Sequence, residues 1–498
     1  MIDIDKNIGD VRDFYSGKSV FVTGGTGFVG KVLLEKLLRS CDLKNIYVLI
    51  RNKHGVDPNS RLRKVFDNKL YDRLKNEKPN FFDKVVCIPG DFNSENIGIN
   101  SDDYRMLRNN VSVIFHIGAT VRFDLTLKET LTHNLYPMKV LIDLAKNMTH
   151  LKAFVYVSTA YSNTHAKDVY EKVYSTDIPV KCVLDCMSWM DKDTFEVLKP
   201  KFLSRHPNNY CYSKCLAEQL LKEEEENLPV IIVRPPLITS TLKEPIEGWI
   251  DQYNLLVAFI ISFGKGLIRI IPGNLITVNE YVPVDYCANM TIVSAWDKAK
   301  KGKGDITVYN CTSGNNERKD GELMNLVKIQ KKYPFLNCYR YPSMIIIKNK
   351  ILYSVFDFLF HLIPAIILDI FFTVFGKKAK MQFIYKKLWI RIIDSQFFLS
   401  NIWTFHADNS IKLLNSMTEE EKEIFDFDVR KIDYSKYLEK IVLNIKTNLL
   451  NESPSTIPMA RNRAKKLFYV EAFCYVLAFG LFIIICLQLW KYVFNMLN

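Results

Sequence analysis

The stretch Lys18–Gly30, which reads KSVFVTGGTGFVG, decides the fold of this 498-residue chain. Lys18 to Thr23 is a short β-rich run, and from Phe28 to Ser40 apolar residues recur at the spacing of a helix. The glycines between them therefore form a tight turn from a strand into a helix, where such glycines bind a dinucleotide. One glycine permits the turn, a second lets backbone amides approach a pyrophosphate, and a third lets helix and strand pack closely. The predicted cofactor-binding residues of this turn are Thr23, Gly24, Gly25, Thr26, Gly27, Phe28, Val29 and Gly30.

Further β-rich apolar runs follow, separated by segments with helical spacing. This alternation predicts βαβ units and a parallel sheet buried on both faces. We therefore expect an α/β fold with a Rossmann-type doubly wound parallel sheet, a smaller substrate-binding part at about residues 235–342, a helical C-terminal domain and a C-terminal transmembrane helix. The later runs are Ile46–Ile50, Val85–Ile88, Val111–Ile117, Ala153–Val157 and Val230–Val233.

The end of the second run selects between the two nicotinamide cofactors. A site that prefers NAD places an Asp or Glu there for the ribose hydroxyl, whereas this chain reads Arg51-Asn52-Lys53. Arg51, together with Lys53, can hold a 2′-phosphate through charge-assisted hydrogen bonds. NADPH is therefore the expected cofactor. Further cofactor contacts are predicted after the third and fourth strands, at Asp91, Ala119 and Thr120.

Tyr210 and Lys214 stand four residues apart, which on a helix places them on one face about one turn from each other. A tyrosine with a pKa near about 10 is a poor acid at neutral pH, and a neighbouring ammonium lowers that pKa. We therefore expect Tyr210 to protonate the oxyanion left by hydride delivery, and Lys214 to tune it and hold the nicotinamide ribose. Ser158 and Thr159, at the end of the fifth strand, place hydroxyls beside the cofactor, where one can bind the substrate oxygen. Thr159 is preferred and Ser158 is the alternative.

Composition narrows the class of partner. The formal net charge is +13, but the basic residues are scattered and no basic helix carries interleaved aromatic residues, so no nucleic acid is expected. Anionic cofactors, CoA-like substrates and an anionic membrane face suit this charge, as does a plain solvated surface. The 11 cysteines include no C-x-x-C pair and no His at ligand spacing, so a reducing compartment and no metal site are expected. The polar N-terminus lacks the apolar stretch of a secretory signal.

Two apolar segments near the C-terminus bear on membrane attachment. Residues 472–490 are almost uninterruptedly apolar, long enough to cross about 30 Å of hydrocarbon, and follow several basic residues. They predict a tail anchor with the catalytic part in the cytosol, on either the endoplasmic reticulum or the peroxisome. Residues 344–375 are also apolar but contain Pro364 and ionisable side chains that a spanning helix would find costly. They form either an interface-lying or re-entrant segment or a buried helical hairpin.

These segments complete a predicted division of the chain. It comprises an extended short-chain dehydrogenase domain over 1–342, a helical C-terminal domain over 344–452, a basic linker over 453–470 and the transmembrane anchor over 472–490.

Longer strings resemble the fatty acyl-CoA reductases of animals and plants over nearly the whole chain. The strings of the N-terminal domain are TGGTGFVGKVLLEKLL, YVLIRNK, HIGATVRFD, FVYVSTAY, NNYCYSKCLAE and YVPVDYCANM. The strings that resemble the family's second domain are FLFHLIPAIILDIFFTVFG from Phe358 and FFLSNIWTFHADN from Phe397. There are departures, since Gly118 stands where many relatives have Ala, and Leu399 and His406 where the family often has Thr and Asp.

The resemblance implies reduction of a long-chain acyl-CoA to a primary alcohol, with two NADPH consumed, CoA released and the aldehyde not normally released. Two other hypotheses stay open. A membrane-attached hydroxysteroid dehydrogenase or a sugar-nucleotide-modifying enzyme shares the cofactor fold and the Tyr/Lys pair but leaves residues 344–452 unexplained. A non-catalytic membrane scaffold has no need of intact Tyr210 and Lys214. The sequence leaves acyl chain length and oligomeric state open and allows a homodimer.

Overall fold

The computed structural model describes residues 8–53, 55–253, 255–273, 280–314 and 322–497. The chain divides into two compact units, each assembled from separated stretches. The sheet unit comprises Met1–Trp249, Asn279–Arg318 and Ile402–Ile432. The helical unit comprises Ile250–Val278, Lys319–Asn401 and Asp433–Asn498.

Strands and α-helices alternate along the sheet unit, and helices predominate in the helical unit. In chain order, the strands are β1 (Ser19–Thr23), β2 (Asn45–Ile50), β3 (Val85–Pro89), β4 (Val111–His116), β5 (Ala153–Val157), β6 (Asp168–Val169), β7 (Val230–Arg234), β8 (Leu237–Thr239), β9 (Ile270–Pro272), β10 (Tyr281–Pro283), β11 (Thr307–Asn310), β12 (Ile345–Ile347) and β13 (Thr404–Phe405). The α-helices are α1 (Val11–Tyr15), α2 (Phe28–Ser40), α3 (Pro58–Phe66), α4 (Asp72–Glu77), α5 (Ser101–Asn110), α6 (Leu127–Asn134), α7 (Tyr136–Lys146), α8 (Val180–Trp189), α9 (Lys192–Leu203), α10 (Asn209–Lys222), α11 (Leu255–Gly264), α12 (Val284–Lys301), α13 (Glu322–Lys332), α14 (Lys350–Asp357), α15 (Ile363–Val374), α16 (Met381–Ser400), α17 (Asp408–Asn415), α18 (Glu419–Ile424), α19 (Tyr434–Asn444) and α20 (Ile457–Leu497). Short π-helical segments lie at Phe358–Leu362 and Ile445–Leu449.

Seven strands of the sheet unit form one sheet in the order β11-β7-β5-β4-β1-β2-β3. Every pairing in it is parallel. The order reverses between β1 and β4, because β2 and β3 continue on one side of β1 and the later strands on the other. A reversal of this kind leaves a crevice at the carboxyl ends of the strands. The predicted doubly wound Rossmann-type sheet is confirmed.

The burial of the strands explains their sequence. β1, β5 and β7 are buried at every position, as expected where helices cover both faces of a parallel sheet. Apolar residues of α6, α7 and α10 share one core cluster with Phe21 and Phe154 of the sheet. The helices α2 and α12 contact each other as well as the rest of the unit. The sheet is thus a rigid platform for the loops at its carboxyl edge.

Residues 402–432 belong to the sheet unit, although they lie after most of the helical unit in the chain. β13 pairs in parallel with β6, and the ring of His406 stacks on Tyr170 with centroids 4.1 Å apart. The predicted domain boundaries at 342 and 452 stay a proposal, since compact units and sequence domains need not coincide. Within the predicted substrate-binding part, 274–279 and 315–321 lie outside the described residues.

In the helical unit, α14, the π-helical segment Phe358–Leu362 and α15 form one continuous helical rod, Lys350–Val374. By length and composition this rod is long and apolar enough to cross a bilayer. The predicted basic linker and the predicted anchor both lie largely within α20, a single helix of 41 residues.

Candidate active site

The glycine turn between β1 and α2 is tightly closed. Gly27 donates its backbone N–H to the carbonyl of Gly24 at 2.9 Å. Gly24 has a φ of +77°, and a Cβ there would lie 2.6 Å from the backbone nitrogen of Gly118; a Cβ at Gly30 would lie 2.2 Å from the Gly24 carbonyl oxygen. Gly27 begins α2 without a side-chain cap, so no capping side chain occupies the first-turn amides. The turn therefore suits a pyrophosphate.

The side chains of Thr23 and Phe28 are engaged by other residues of the sheet unit. The hydroxyl of Thr23 lies 2.6 Å from Nδ1 of His116, and burial lowers the pKa of His116 to about 3, so this ring is neutral. The ring of Phe28 stacks on Trp249 with centroids 5.4 Å apart. Thr23 and Phe28 can therefore offer a cofactor chiefly their backbone. Of the other turn residues, Gly25 is buried and Thr26 and Val29 are half-buried.

A basic group follows β2. Arg51 and Lys53 are exposed, and the guanidinium of Arg61, in the first turn of α3, donates to the backbone carbonyl of Arg51. Burial, and then the charge of Arg51, lower the pKa of Arg61. The two guanidiniums therefore lie close enough to repel each other, and a phosphate placed between them would remove that repulsion.

Asp91 and Phe92 follow β3. Asp91 is half-buried, and its carboxylate accepts the backbone N–H of Asn93 at 3.0 Å, which holds the loop after the strand. A Cβ at Gly118 would lie 2.7 Å from the ring of Phe92. The Phe92 ring thus takes the space that the methyl group of an alanine would need, which gives a physical reason for glycine at position 118.

The loop after β4 is tied to α10. Ala119 and Thr120 are half-buried. The side chain of Asn134 accepts the backbone N–H of Thr120 at 2.8 Å and donates to the Thr120 carbonyl at 3.1 Å. It also donates to the hydroxyl of Ser213 at 2.9 Å. Asn134 thereby fixes the distance between the cofactor loop and the helix that carries the predicted acid.

Tyr210, Lys214 and Thr159 come together at the carboxyl edge of the sheet. α10 begins after Asn208, whose side-chain oxygen accepts a backbone N–H of the first turn at 2.8 Å. Tyr210 is half-buried in that turn, and the side chain of Thr159 hydrogen-bonds it. The ring of Phe123 meets that of Tyr210 edge-on, with centroids 6.2 Å apart.

Lys214 is buried one turn after Tyr210. Its ammonium donates to the carbonyl of Val157 at 2.8 Å and lies 4.7 Å from the centroid of the Tyr156 ring. Burial lowers the pKa of Lys214 to about 7, against the opposing effect of Glu218. Lys214 therefore changes charge close to neutral pH.

The pKa of Tyr210 differs from the expectation. Burial raises it above the usual value, the neighbouring Cys211 raises it further, and the hydrogen bond with Thr159 lowers it. The pKa of Tyr210 is thus raised and not lowered as expected, because desolvation of the phenol dominates. The phenol stays protonated at neutral pH, which is the form that a proton donor needs.

Ser158 faces a different group. Its hydroxyl donates to the carboxylate of Glu218 at 2.5 Å. Glu218 is buried, forms an ion pair with the buried Arg234 at 2.5 Å, and also accepts from Ser162 at 3.1 Å. The two hydroxyls that the sequence offers thus have different partners. Ser158 hydrogen-bonds a buried ion pair, whereas Thr159 lies beside Tyr210.

Four residues of the site were absent from the sequence prediction. Glu218 lies four residues after Lys214, so helical spacing could have found it. Arg61 and Asn134 lie in none of the motifs named above, and Phe123 lies in the string HIGATVRFD without a predicted role, so tertiary structure is what brings these three residues to the site. In the described part of the chain no His, Cys, Asp or Glu side chains group together as a metal ion would require.

Known proteins resemble the chain over both predicted domains. An NAD-binding family model described as "Male sterility protein" matches residues 22–291, and a second model of that description matches residues 360–452. Fatty acyl-CoA reductase 1 of Homo sapiens is 34% identical over 484 residues, which cover 97% of this chain and 93% of that protein. Fatty acyl-CoA reductase 2 of Homo sapiens is 34% identical over 460 residues, covering 92% of this chain and 89% of that protein.

Solved structures share the fold at low identity. The reductase (R) domain of a non-ribosomal peptide synthetase from Mycobacterium tuberculosis has a TM-score of 0.57 and 18% identity, covering 88% of this chain and 92% of that one. The terminal R domain from the myxalamid PKS-NRPS pathway has a TM-score of 0.56 and 18% identity, covering 86% and 90%. The family models and the near full-length relatives identify an oxidoreductase with a nicotinamide cofactor, and the chain belongs to the fatty acyl-CoA reductase family of animals.

Proposed function

We propose that this protein reduces long-chain fatty acyl-CoA to the primary alcohol, with NADPH as the reductant and release of CoA. The observation that carries the proposal is the meeting of Tyr210, Thr159 and Lys214 near a pyrophosphate-binding turn. The acyl-CoA substrate is supported by relatives that are named fatty acyl-CoA reductases and match almost the whole chain.

NADPH, rather than NADH, is supported by the basic group after β2. Arg51 and Arg61 would hold the 2′-phosphate, with Lys53 beside them. The turn from Gly24 to Gly30 would hold the pyrophosphate, and Asp91, Ala119 and Thr120 would line the cofactor. The buried ammonium of Lys214 would hold the nicotinamide ribose. When bound, the nicotinamide supplies the hydride.

Thr159 and Tyr210 act on the substrate carbonyl. Both would donate hydrogen bonds to its oxygen, which gains negative charge as hydride reaches the carbon. The phenol of Tyr210 is protonated at neutral pH, and because an alkoxide is a stronger base than a phenolate, it can give its proton to that oxygen. We assign Thr159 and not Ser158 to this role, since the hydroxyl of Ser158 is directed to Glu218.

The reaction needs two reductions. In the first, hydride adds to the thioester carbon, and the hemithioacetal oxyanion collapses as the C–S bond breaks, giving the aldehyde and the CoA thiolate, which takes up one proton to become the thiol. In the second, hydride adds to the aldehyde and Tyr210 protonates the resulting oxygen. The sum is one acyl-CoA, two NADPH and two protons converted to one alcohol, one CoA and two NADP⁺.

Membrane attachment through residues 472–490 of α20 is part of the proposal. Arg461, Arg463, Lys465 and Lys466 precede this apolar stretch, which favours a cytosolic position for the preceding domains. Apolar side chains within it are exposed, among them Phe473, Val476 and Trp490. We place the protein on the endoplasmic reticulum or the peroxisome. An apolar acyl chain could then enter from the adjacent bilayer.

A product assay tests the function. Full-length protein in detergent is supplied with NADPH and a series of acyl-CoA chain lengths, and alcohol is measured by mass spectrometry. We expect a primary alcohol of the same chain length as the substrate. NADPH binding without turnover at any chain length would contradict the proposal and favour a non-catalytic scaffold.

A further inference from the structure

The helical rod Lys350–Val374 reverses the usual amphipathic pattern. A surface helix of a soluble protein buries its apolar stripe and exposes polar residues. In this rod three of the five buried side chains are Asp or His. The buried stripe, one residue per turn, consists of Tyr353, Asp357, His361, Ala365 and Asp369.

Hydrogen bonds within the helical unit satisfy this stripe. Asp357 lies 2.7 Å from Nδ1 of His361 and accepts from the hydroxyl of Tyr385 at 2.6 Å. Nε2 of His361 accepts the backbone N–H of Arg269 at 2.8 Å, so the proton on Nδ1 is donated to Asp357. Asp357 and His361, two of the ionisable groups that make a spanning helix costly, are therefore turned into the protein.

Asp369 joins the rod to α16. Its carboxylate accepts the backbone N–H groups of Met381 and Gln382 at 2.7 and 2.9 Å. These are the first two residues of α16, so the carboxylate caps that helix. We call the rod and α16 together the apolar hairpin (Lys350–Ser400).

The outer face of the hairpin is apolar and exposed. Ile351 is 78% exposed, Val374 74% and Phe375 63%. Soluble monomers rarely present a continuous apolar patch of this kind, and such patches mark a protein or membrane interaction site. Further exposed members are Leu352, Val355, Phe358, Leu359, Ile367, Leu368, Ile370, Phe371, Phe383, Trp389 and Ile390.

Basic residues border this face. Lys377, Lys378 and Lys380 lie in the loop between the rod and α16, and all three are exposed. Three more exposed basic side chains lie on α16, at Lys386, Lys387 and Arg391. Lysine and arginine at the rim of an apolar face are attracted by anionic lipid headgroups. This charge distinguishes a membrane from a second apolar protein surface as the partner.

Contacts with α20 hold the hairpin beside one part of that helix. The ring of Phe360 lies 6.2 Å from that of Tyr475, near the start of the predicted anchor at 472–490. Just before that stretch, Glu471 pairs with Arg269 at 2.7 Å and with Arg340 at 3.5 Å. The hairpin is thus held beside the point where the anchor would enter the bilayer.

We propose that the apolar hairpin lies in the cytosolic leaflet of an anionic membrane, as a monotopic contact separate from the anchor. A rod lying along the leaflet keeps its ionisable stripe against the protein and its apolar face in lipid, whereas a spanning rod would not. The choice of the cytosolic leaflet rests on the proposed direction of the anchor at 472–490. The membrane contact itself does not depend on the proposed reaction.

Photocrosslinking of the full-length protein tests this contact. The photoreactive residue benzoylphenylalanine replaces Phe371 on the hairpin, Phe479 in the anchor or Trp189 on the sheet unit, all three of which are exposed. The variants are reconstituted in phosphatidylcholine membranes with or without phosphatidylserine and irradiated, and captured lipid is identified by mass spectrometry. We expect lipid capture from Phe371 and Phe479 and none from Trp189, with capture from Phe371 increased several-fold by phosphatidylserine.

Three results would overturn the proposal. Capture of lipid from Phe479 but not from Phe371 would leave the anchor as the membrane contact. Capture of a second copy of the chain from Phe371 would make the face a protein interface. Unchanged capture from Phe371 after Lys377→Ser, Lys378→Ser and Lys380→Ser together, in phosphatidylserine membranes, would refute the attraction to anionic lipid. None of these crosslinking measurements depends on turnover, so failure of the proposed reaction would not be mistaken for failure of the membrane contact.

Discussion

The hydroxyl of Ser158 donates a 2.5 Å hydrogen bond to the carboxylate of Glu218, one turn beyond Lys214 on α10. The same carboxylate accepts two hydrogen bonds from the buried guanidinium of Arg234, at 2.9 and 2.5 Å. Thr159, the next residue in the chain, instead reaches Tyr210. The two hydroxyls, which are alternatives by sequence, therefore have different partners.

Thr159→Val should lower kcat by about 10²-fold or more, because it removes one donor to the developing oxyanion and keeps the side-chain shape. Ser158→Ala should lower kcat much less. Turnover and NADPH affinity of both variants check this. A larger loss of kcat in Ser158→Ala than in Thr159→Val would reverse the assignment.

Glu218→Gln should destabilise the sheet unit, since it leaves Arg234 charged and buried without its partner. Loss of one member of a buried pair costs about 3–5 kcal/mol. Thermal unfolding followed by circular dichroism measures the effect, with the exposed Glu226→Gln as the matched control. Equal melting temperatures for the two variants would show that the ion pair contributes little to the fold.

Tyr210→Phe should lower alcohol formation by about 10²-fold to 10⁴-fold, as expected for loss of a general acid. NADPH binding should be nearly unchanged, because the phenol is not placed against the pyrophosphate or the 2′-phosphate. Tryptophan fluorescence quenched by NADPH gives the affinity, and single-turnover kinetics give the rate. Substantial turnover in the variant would exclude Tyr210 as the acid.

Arg51→Ala and Arg61→Ala should each weaken NADPH binding by about tenfold to a hundredfold, the effect of a lost charge-assisted hydrogen bond. NADH lacks the 2′-phosphate, so its affinity should change little. Dissociation constants for both cofactors are compared with those of Arg108→Ala, an exposed arginine on α5. Equal losses for NADPH and NADH would refute the 2′-phosphate site.

The affinity for NADPH should fall as the pH rises through about 7. Burial lowers the pKa of Lys214 to about 7, so the ammonium is charged below that pH and neutral above it. An anionic cofactor binds the charged form better, and linkage to one proton limits the change to about tenfold per pH unit. Titrations across this range should show the step in the natural protein and not in Lys214→Met. A step that persists in Lys214→Met would assign it to another group.

The sheet and the glycine turn could be predicted because their signals are local. At Gly24 and Gly30 neighbouring backbone atoms occupy the space that a Cβ atom would need, so the turn requires glycine there. The surrounding strands are continuous apolar runs. The Tyr210 and Lys214 pair likewise depends on helical spacing alone. The pKa of Tyr210 was mispredicted because it depends on burial, which a four-residue spacing does not describe.

Features that depend on tertiary contacts were missed. Arg61 approaches Arg51 because α3 folds back over the end of β2, and nothing in its own sequence indicates a phosphate site. For the rod Lys350–Val374 the sequence allows both a membrane segment and a buried hairpin, because composition does not show which face is inside. The direction of Asp357 and His361 into the protein supplies that information.

The most direct test of the central claim follows the hydride itself. Full-length protein is given palmitoyl-CoA and NADPH that carries deuterium at the transferred position, and the product is analysed by mass spectrometry alongside a thiol assay for CoA. The proposed function predicts hexadecanol with two deuterium atoms on its first carbon and one CoA released for every two NADPH oxidised. An aldehyde with a single deuterium as the final product, or CoA release without NADPH oxidation, would contradict it.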